Sequence, residues 1–200
     1  MTIKEPKFEI SKEIFDKCVQ FSMDSAPTST DKYARRNQND PIKIAKDIRN
    51  GKIAEEMVYA KVVESYPNLT KPDFNIYSKK DKSWDPDLRD LDSNLRIAVK
   101  SQEIESALHY GESWVFQFGN GGKYDCDTGI FGKDIDPNHY VSFVLLNVAK
   151  KLGSLRGIVQ VQWLHDKNLF KAMQKKTLQG NKVAVYYEDL MQYENELWQL

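Results

Sequence analysis

Ser83-Trp84-Asp85-Pro86-Asp87-Leu88, followed by Leu95-Arg96-Ile97-Ala98-Val99-Lys100-Ser101-Gln102, is the stretch whose pattern decides the fold. The first run closes on an acidic pair just after an aromatic. The second alternates, with Leu95, Ile97 and Val99 on one face and Arg96, Ala98 and Lys100 on the other. Two short strands joined by the polar connection Arg89 to Asn94 bring Asp87 and Lys100 to neighbouring strand ends. A carboxylate beside an amine at one sheet edge can hold a divalent cation and activate a water on it.

Working outward, Phe74 to Lys79 reads as a short strand upstream, with Lys80-Asp81-Lys82 as the turn into Ser83 to Leu88. Before it, Asp40-Pro41 is a helix start, with an acid at the N-cap and proline at the first helical position. Asn50-Gly51 reads as a stop or sharp kink, and Ile53 to Ser65 as a second helix. Glu55 and Glu56 in that helix cannot share a face, because consecutive positions lie about 100° apart. Ser11 to Met23 reads as an amphipathic helix, broken by the proline-bearing loop Ser25 to Thr30.

Downstream, Ser106 to Glu112 reads as a connection and Ser113 to Phe118 as a strand. Gly119 to Asp134 is a long glycine- and aspartate-rich loop, in which Asp125-Cys126-Asp127-Thr128-Gly129 lacks the full ligand set of a calcium loop. Tyr140 to Val148 and Gly157 to Leu164 read as buried strands with Lys150 to Ser154 as a turn, Asn168 to Lys175 as a short basic helix, and Val183 to Tyr187 as the last strand. Leu190 to Leu200 is a polar tail with Leu197 and Trp198 to dock it.

Pro86-Asp87 followed by Ala98-Val99-Lys100, with Gly51-Lys52-Ile53-Ala54-Glu55-Glu56 upstream, resembles the core of the PD-(D/E)XK nuclease superfamily, to which many restriction endonucleases belong. The matching residues run from Gly51 to Gln102. The resemblance implies an α/β fold of restriction endonuclease-like type, a three-layer core with a central mixed β-sheet flanked by helices. It also implies Mg²⁺-dependent hydrolysis of DNA phosphodiester bonds, with Mn²⁺ as a substitute metal. Asp87, Glu55 and the Val99 carbonyl would hold the metal, Lys100 would orient the attacking water, and Asp85, Glu56 and Gln102 would be accessory. The family's second acid, two residues before the lysine, is Ala98 here. The missing group then comes from elsewhere (Glu55, Glu56, Asp85, Glu103, Glu105), or substrate phosphate completes the shell, or the protein binds DNA without cutting it.

Between Lys32 and Lys52 seven basic residues face two acids, a local charge of +5 in a chain of zero net charge. Arg35, Arg36, Lys43, Lys46, Arg49 and Lys52 are therefore the expected contacts to double-stranded DNA, although a solvated helix face has the same composition. Cutting both strands of a duplex favours a homodimer.

Two hundred residues suit one domain: a helix and basic loop over 1–40, a core over 41–190 and a tail over 191–200. The start lacks the apolar segment of a signal peptide, and Cys18 and Cys126 do not form a disulfide framework. The expectation is a reduced, cytoplasmic protein. His109, His139 and His165 lack metal-ligand spacing, and no phosphate-binding or dinucleotide glycine motif occurs.

Overall fold

A computed structural model of the chain describes residues 3–34, 38–77, 87–118, 128–131, 135–174, 179 and 182–200. Asp85, Trp84, Arg35, Arg36, Cys126 and most of the glycine-rich loop lie outside them. The architecture is mixed α/β, with a central mixed sheet flanked by helices. The larger sheet runs in the order β1 (Phe8–Glu9), β6 (Leu152–Gln160), β5 (His139–Asn147), β3 (Arg96–Glu103), β2 (Leu88–Arg89). A smaller sheet runs β4 (Ser113–Gln117), β8 (Lys182–Tyr186), β7 (Lys171–Ala172).

The alternation of β3 comes out as the sequence dictates. Leu95, Ile97 and Val99 belong to the apolar layer under the helices, and Ala98 to the layer against the smaller sheet. β2 and β3 pair antiparallel, Leu88 opposite Ile97 and Arg89 opposite Arg96. β3 then pairs parallel with β5, Val99 opposite Ser142 and Lys100 opposite Phe143. A parallel neighbour requires a crossover, and α3 (Ile104–Tyr110), β4 and α4 (Thr128–Phe131) supply it. The expected connection over Ser106 to Glu112 is thus largely helix.

One face of the larger sheet is covered by α1 (Lys12–Ala34) and α2 (Pro41–Val62), through Cys18, Ile53, Ala54, Val58 and Val62. The opposite face packs on Trp114, Phe116 and Val185 of the smaller sheet and on Val161 and Leu164 of α5 (Val161–Asp166). Trp114 caps this second layer by donating its indole N–H to the Val144 carbonyl at 3.0 Å.

Both expected helix breaks are absent. α1 runs through Pro27, which lacks an N–H. Hydroxyls in this part of the helix also donate to backbone carbonyls, Ser22 to Val19, Ser25 to Phe21 and Thr28 to Ser25, at 2.7, 2.7 and 3.0 Å. α2 starts as expected, Asp40 accepting from the Ile42 and Lys43 N–H groups with Pro41 at its first turn, but it continues through Gly51 to Val62. Ile44 before the glycine and Ile53, Ala54 and Val58 after it form one buried stripe. Packing along that stripe outweighs the roughly 1 kcal/mol that a mid-helix glycine costs.

Other boundaries also move. Residues 74–77 form no strand, and the strand expected over Ser83 to Leu88 is only Leu88–Arg89 among the described residues. β6 begins at Leu152, inside the expected turn, and Val161 to Leu164 are helical. The basic helix expected over Asn168 to Lys175 is replaced by β7. In the tail Leu197 is buried, while Trp198 stays half exposed beside Ile158 in an isolated bridge. Among the described residues no helix is long and apolar enough to cross a membrane.

Candidate active site

The buried stripe of α2 includes a charged residue. Glu55 follows Ile53 and Ala54 into the interior and is only 7% exposed, whereas Glu56, one position on, turns to α1 and pairs with Lys17 at 2.8 Å. Two adjacent acids thus take separate roles, as the helical turn requires. Lys52, one turn back, places its ammonium 2.5 Å from Glu55 Oε2, with both side chains largely buried.

Asp87 approaches from the sheet. It directly precedes β2, and the antiparallel register continued by one step sets it opposite Ala98. Its Oδ2 accepts the Val99 N–H at 2.7 Å, so the side chain supplies the acceptor that β3 lacks beyond the end of β2. The residue itself remains exposed.

Burial pushes the Glu55 carboxyl up to about 8, and the Asp87 charge pushes it the same way. Lys52 opposes both, while Asp73 adds further negative charge. Asp73 lies in the segment between α2 and β2, its oxygens taken by the Asn75 N–H at 2.8 Å and the Tyr77 hydroxyl at 2.6 Å. Burial raises its carboxyl, but these hydrogen bonds win and hold it below its usual range. Asp73 was not singled out from the sequence, because an acid in an irregular segment carries no periodic signal.

Lys100 occupies the face of β3 shared with Ala98. Its ammonium stands 4.9 Å from the centre of the Phe116 ring in the smaller sheet. Gln102, on the same face, is committed to the turn into β4: its amide donates to the Gly111 carbonyl at 3.0 Å and accepts the Ser113 N–H at 2.7 Å. Glu103 accepts from Asn50 of α2 at 3.4 Å. Asn50 thereby ties α2 to the far end of β3.

The expected DNA contacts divide. Lys43 pairs with Asp47 at 2.8 Å. Arg49 donates twice to Asn50 Oδ1, at 3.1 and 2.9 Å. Lys46 lines a groove between α1 and α2. Lys52 belongs to the carboxylate cluster instead, a placement its three-residue spacing from Glu55 already encodes.

Among the described residues, no group of three or more His, Cys, Asp and Glu side chains is arranged to hold a metal ion. The charges of Asp87 and Asp73 both act on the buried Glu55. Comparison with protein-family models, with curated proteins and with solved structures gives no match.

Proposed function

We propose that this chain is a Mg²⁺-dependent endonuclease that hydrolyses DNA phosphodiester bonds, built on a restriction endonuclease-like core. The observation that carries this reading is the Asp87 carboxylate anchored on the Val99 N–H at 2.7 Å, with its charge acting on the buried Glu55 of the helix ahead of the hairpin. The order of α2, the β2–β3 hairpin and a parallel crossover to β5 supports the finer fold assignment.

The donor set suits the cation. Mg²⁺ prefers hard oxygen, keeps several waters and binds through one or two carboxylates plus substrate phosphate. Glu55 and Asp87 supply two carboxylates, and the Val99 carbonyl is the backbone donor the reading adds. Burial first, and the Asp87 charge after it, raise the Glu55 carboxyl against the pull of Lys52. The cation contributes acidification of water and neutralisation of charge on the phosphate. Asp87 fixes its own carboxylate through the Val99 N–H, and Glu55 excludes bulk water from the inner side of the site. Lys100 orients water and stabilises the phosphate as charge accumulates on it. Asp85 is accessory, and Lys43, Lys46 and Arg49 of α2 hold the duplex through its backbone. A homodimer places one such site on each strand.

A second reading has its own support: Ala98 offers only a methyl group where a further acid would complete the metal shell, which fits a DNA-binding protein of the same fold without cleavage. Incubating supercoiled plasmid with the protein and Mg²⁺ or Mn²⁺ separates the two. Metal-dependent nicking that disappears in Asp87→Ala supports the enzyme. A gel shift with intact plasmid supports the binder, and neither effect defeats both.

A further inference from the structure

β1 closes the strand order of the larger sheet on one side, and both of its residues are exposed, Phe8 to 67%. Phe8 stands opposite Gly153 of β6, and the place that a Cβ on Gly153 would take is filled by Met57 of α2. Residues directly opposite in an antiparallel pair share a face. The Phe8 ring therefore lies on the helical side of the sheet, outside Met57. Since β5 occupies the other side of β6, Trp198 joins this same edge where it bridges Ile158, and it too is 53% exposed.

We propose that β1 is the contact between two copies of this chain, which pair antiparallel about Phe8 and join their larger sheets. The inference gives the homodimer of the nuclease reading its place on the surface, and it rests on that part of the reading and on none of its chemistry.

Two observations carry it. Phe8 is a large apolar side chain on an edge strand, where the strand of another molecule covers it and continues the sheet. The flanking charges then select the partner. Antiparallel pairing about Phe8 sets Lys7 of one copy against Glu9 of the other, twice by symmetry, and brings the two Phe8 rings side by side. Flanking charges of one sign would repel a second copy; these attract it. Lys7 and Glu9 are both exposed, and neither side chain has an ion-pair partner among the described residues. Such a dimer also leaves the candidate sites open. Asp87 leads into β2 at the opposite edge, so the two sites lie at the outer ends of the joined sheet, roughly 40 Å apart at about 4.8 Å per strand.

The test is sedimentation velocity of the full chain, without metal or DNA, from about 1 to about 100 µM, because a contact of this size associates weakly. The wild type should pass from monomer to dimer over this range. Phe8→Asp, which sets two carboxylates at the symmetry axis, should stay monomeric. Lys7→Glu and Glu9→Lys each turn both cross-strand pairs repulsive and should each raise the dissociation constant about tenfold or more. The exchanged variant Lys7→Glu/Glu9→Lys should return to the wild-type constant. An equimolar mixture of the two single charge variants should associate where neither does alone. Circular dichroism checks that each variant is folded, and the charge variants decide the matter should Phe8→Asp not fold. A dimeric wild type whose constant is unmoved by the single charge reversals overturns the interface while the homodimer stands. A wild type that is monomeric throughout overturns both, and metal-dependent nicking of plasmid then judges the nuclease reading separately.

Discussion

Asp87 reaches across the end of β2 and accepts the Val99 N–H at 2.7 Å, so one carboxylate both closes a sheet edge and forms half of the candidate site. The two duties separate by substitution. Asn at position 87 still offers an oxygen to Val99 but loses the charge a metal needs. Asp87→Asn should therefore change stability by no more than about 0.5 kcal/mol in urea unfolding. Metal-dependent plasmid nicking should fall to background in the same variant. A large loss of stability would show that the charge, and not only the hydrogen bond, holds the edge.

The Glu55 carboxyl gives the fold a pH dependence of determined sign. Burial, then the Asp87 charge, raise it from 4.5 to about 8 in the folded chain. Between those values the native state holds a proton that the unfolded chain has released, so stability falls as pH rises through this window and levels off above it. The fall is on the order of a few kcal/mol. Glu55→Gln should flatten it, as measured by urea midpoints at about pH 5 and about pH 8. Added Mg²⁺ should raise the wild-type midpoint at the higher pH and leave that of Glu55→Gln nearly unmoved.

Arg156 and Glu112 form an ion pair at 2.6 Å with side chains 9% and 5% exposed, and the same guanidinium donates to the Lys4 carbonyl at 2.7 Å. Burial pushes the Glu112 carboxyl up even though Arg156 pulls it down. Removing one partner strands the other, so Arg156→Met should cost about 3–5 kcal/mol. Arg156→Met with Glu112→Leu should recover much of that loss, a double-mutant comparison readable by denaturant unfolding.

Gly51 sits in the middle of α2 with nothing within 4 Å of the position a Cβ would take. No turn or close contact requires a glycine there. Gly51→Ala should stabilise the protein by about 0.5–1 kcal/mol, seen as a higher thermal midpoint, with cleavage unchanged.

What the sequence made legible was what strict periodicity encodes. The alternation of Leu95, Ile97 and Val99 against Ala98 and Lys100 assigned both faces of β3, and Asp40-Pro41 set the start of α2. Local breakers misled, because Pro27 and Gly51 lie in helices held by packing between α1, α2 and the sheet, a contribution no short window contains. Helical geometry put Glu55 and Glu56 on separate faces, and the family resemblance chose between them. The approach of Asp73 to Glu55 was not legible, since Asp73 arrives from an irregular segment whose path depends on tertiary contacts such as Phe74 against Phe21. The Glu112–Arg156 pair joins residues 44 positions apart and leaves no trace in local composition.

The pairing of Phe8 and Glu9 with Gly153 and Leu152 has a consequence for biosynthesis. β1 is synthesised well before β6, the strand it pairs with. Until then the N-terminal segment has no sheet to join. Assembly of the larger sheet accordingly waits on a contact of very long sequence separation, the kind that slows folding, and a chain released before β6 is synthesised leaves both its beginning and β5 with unfilled edges.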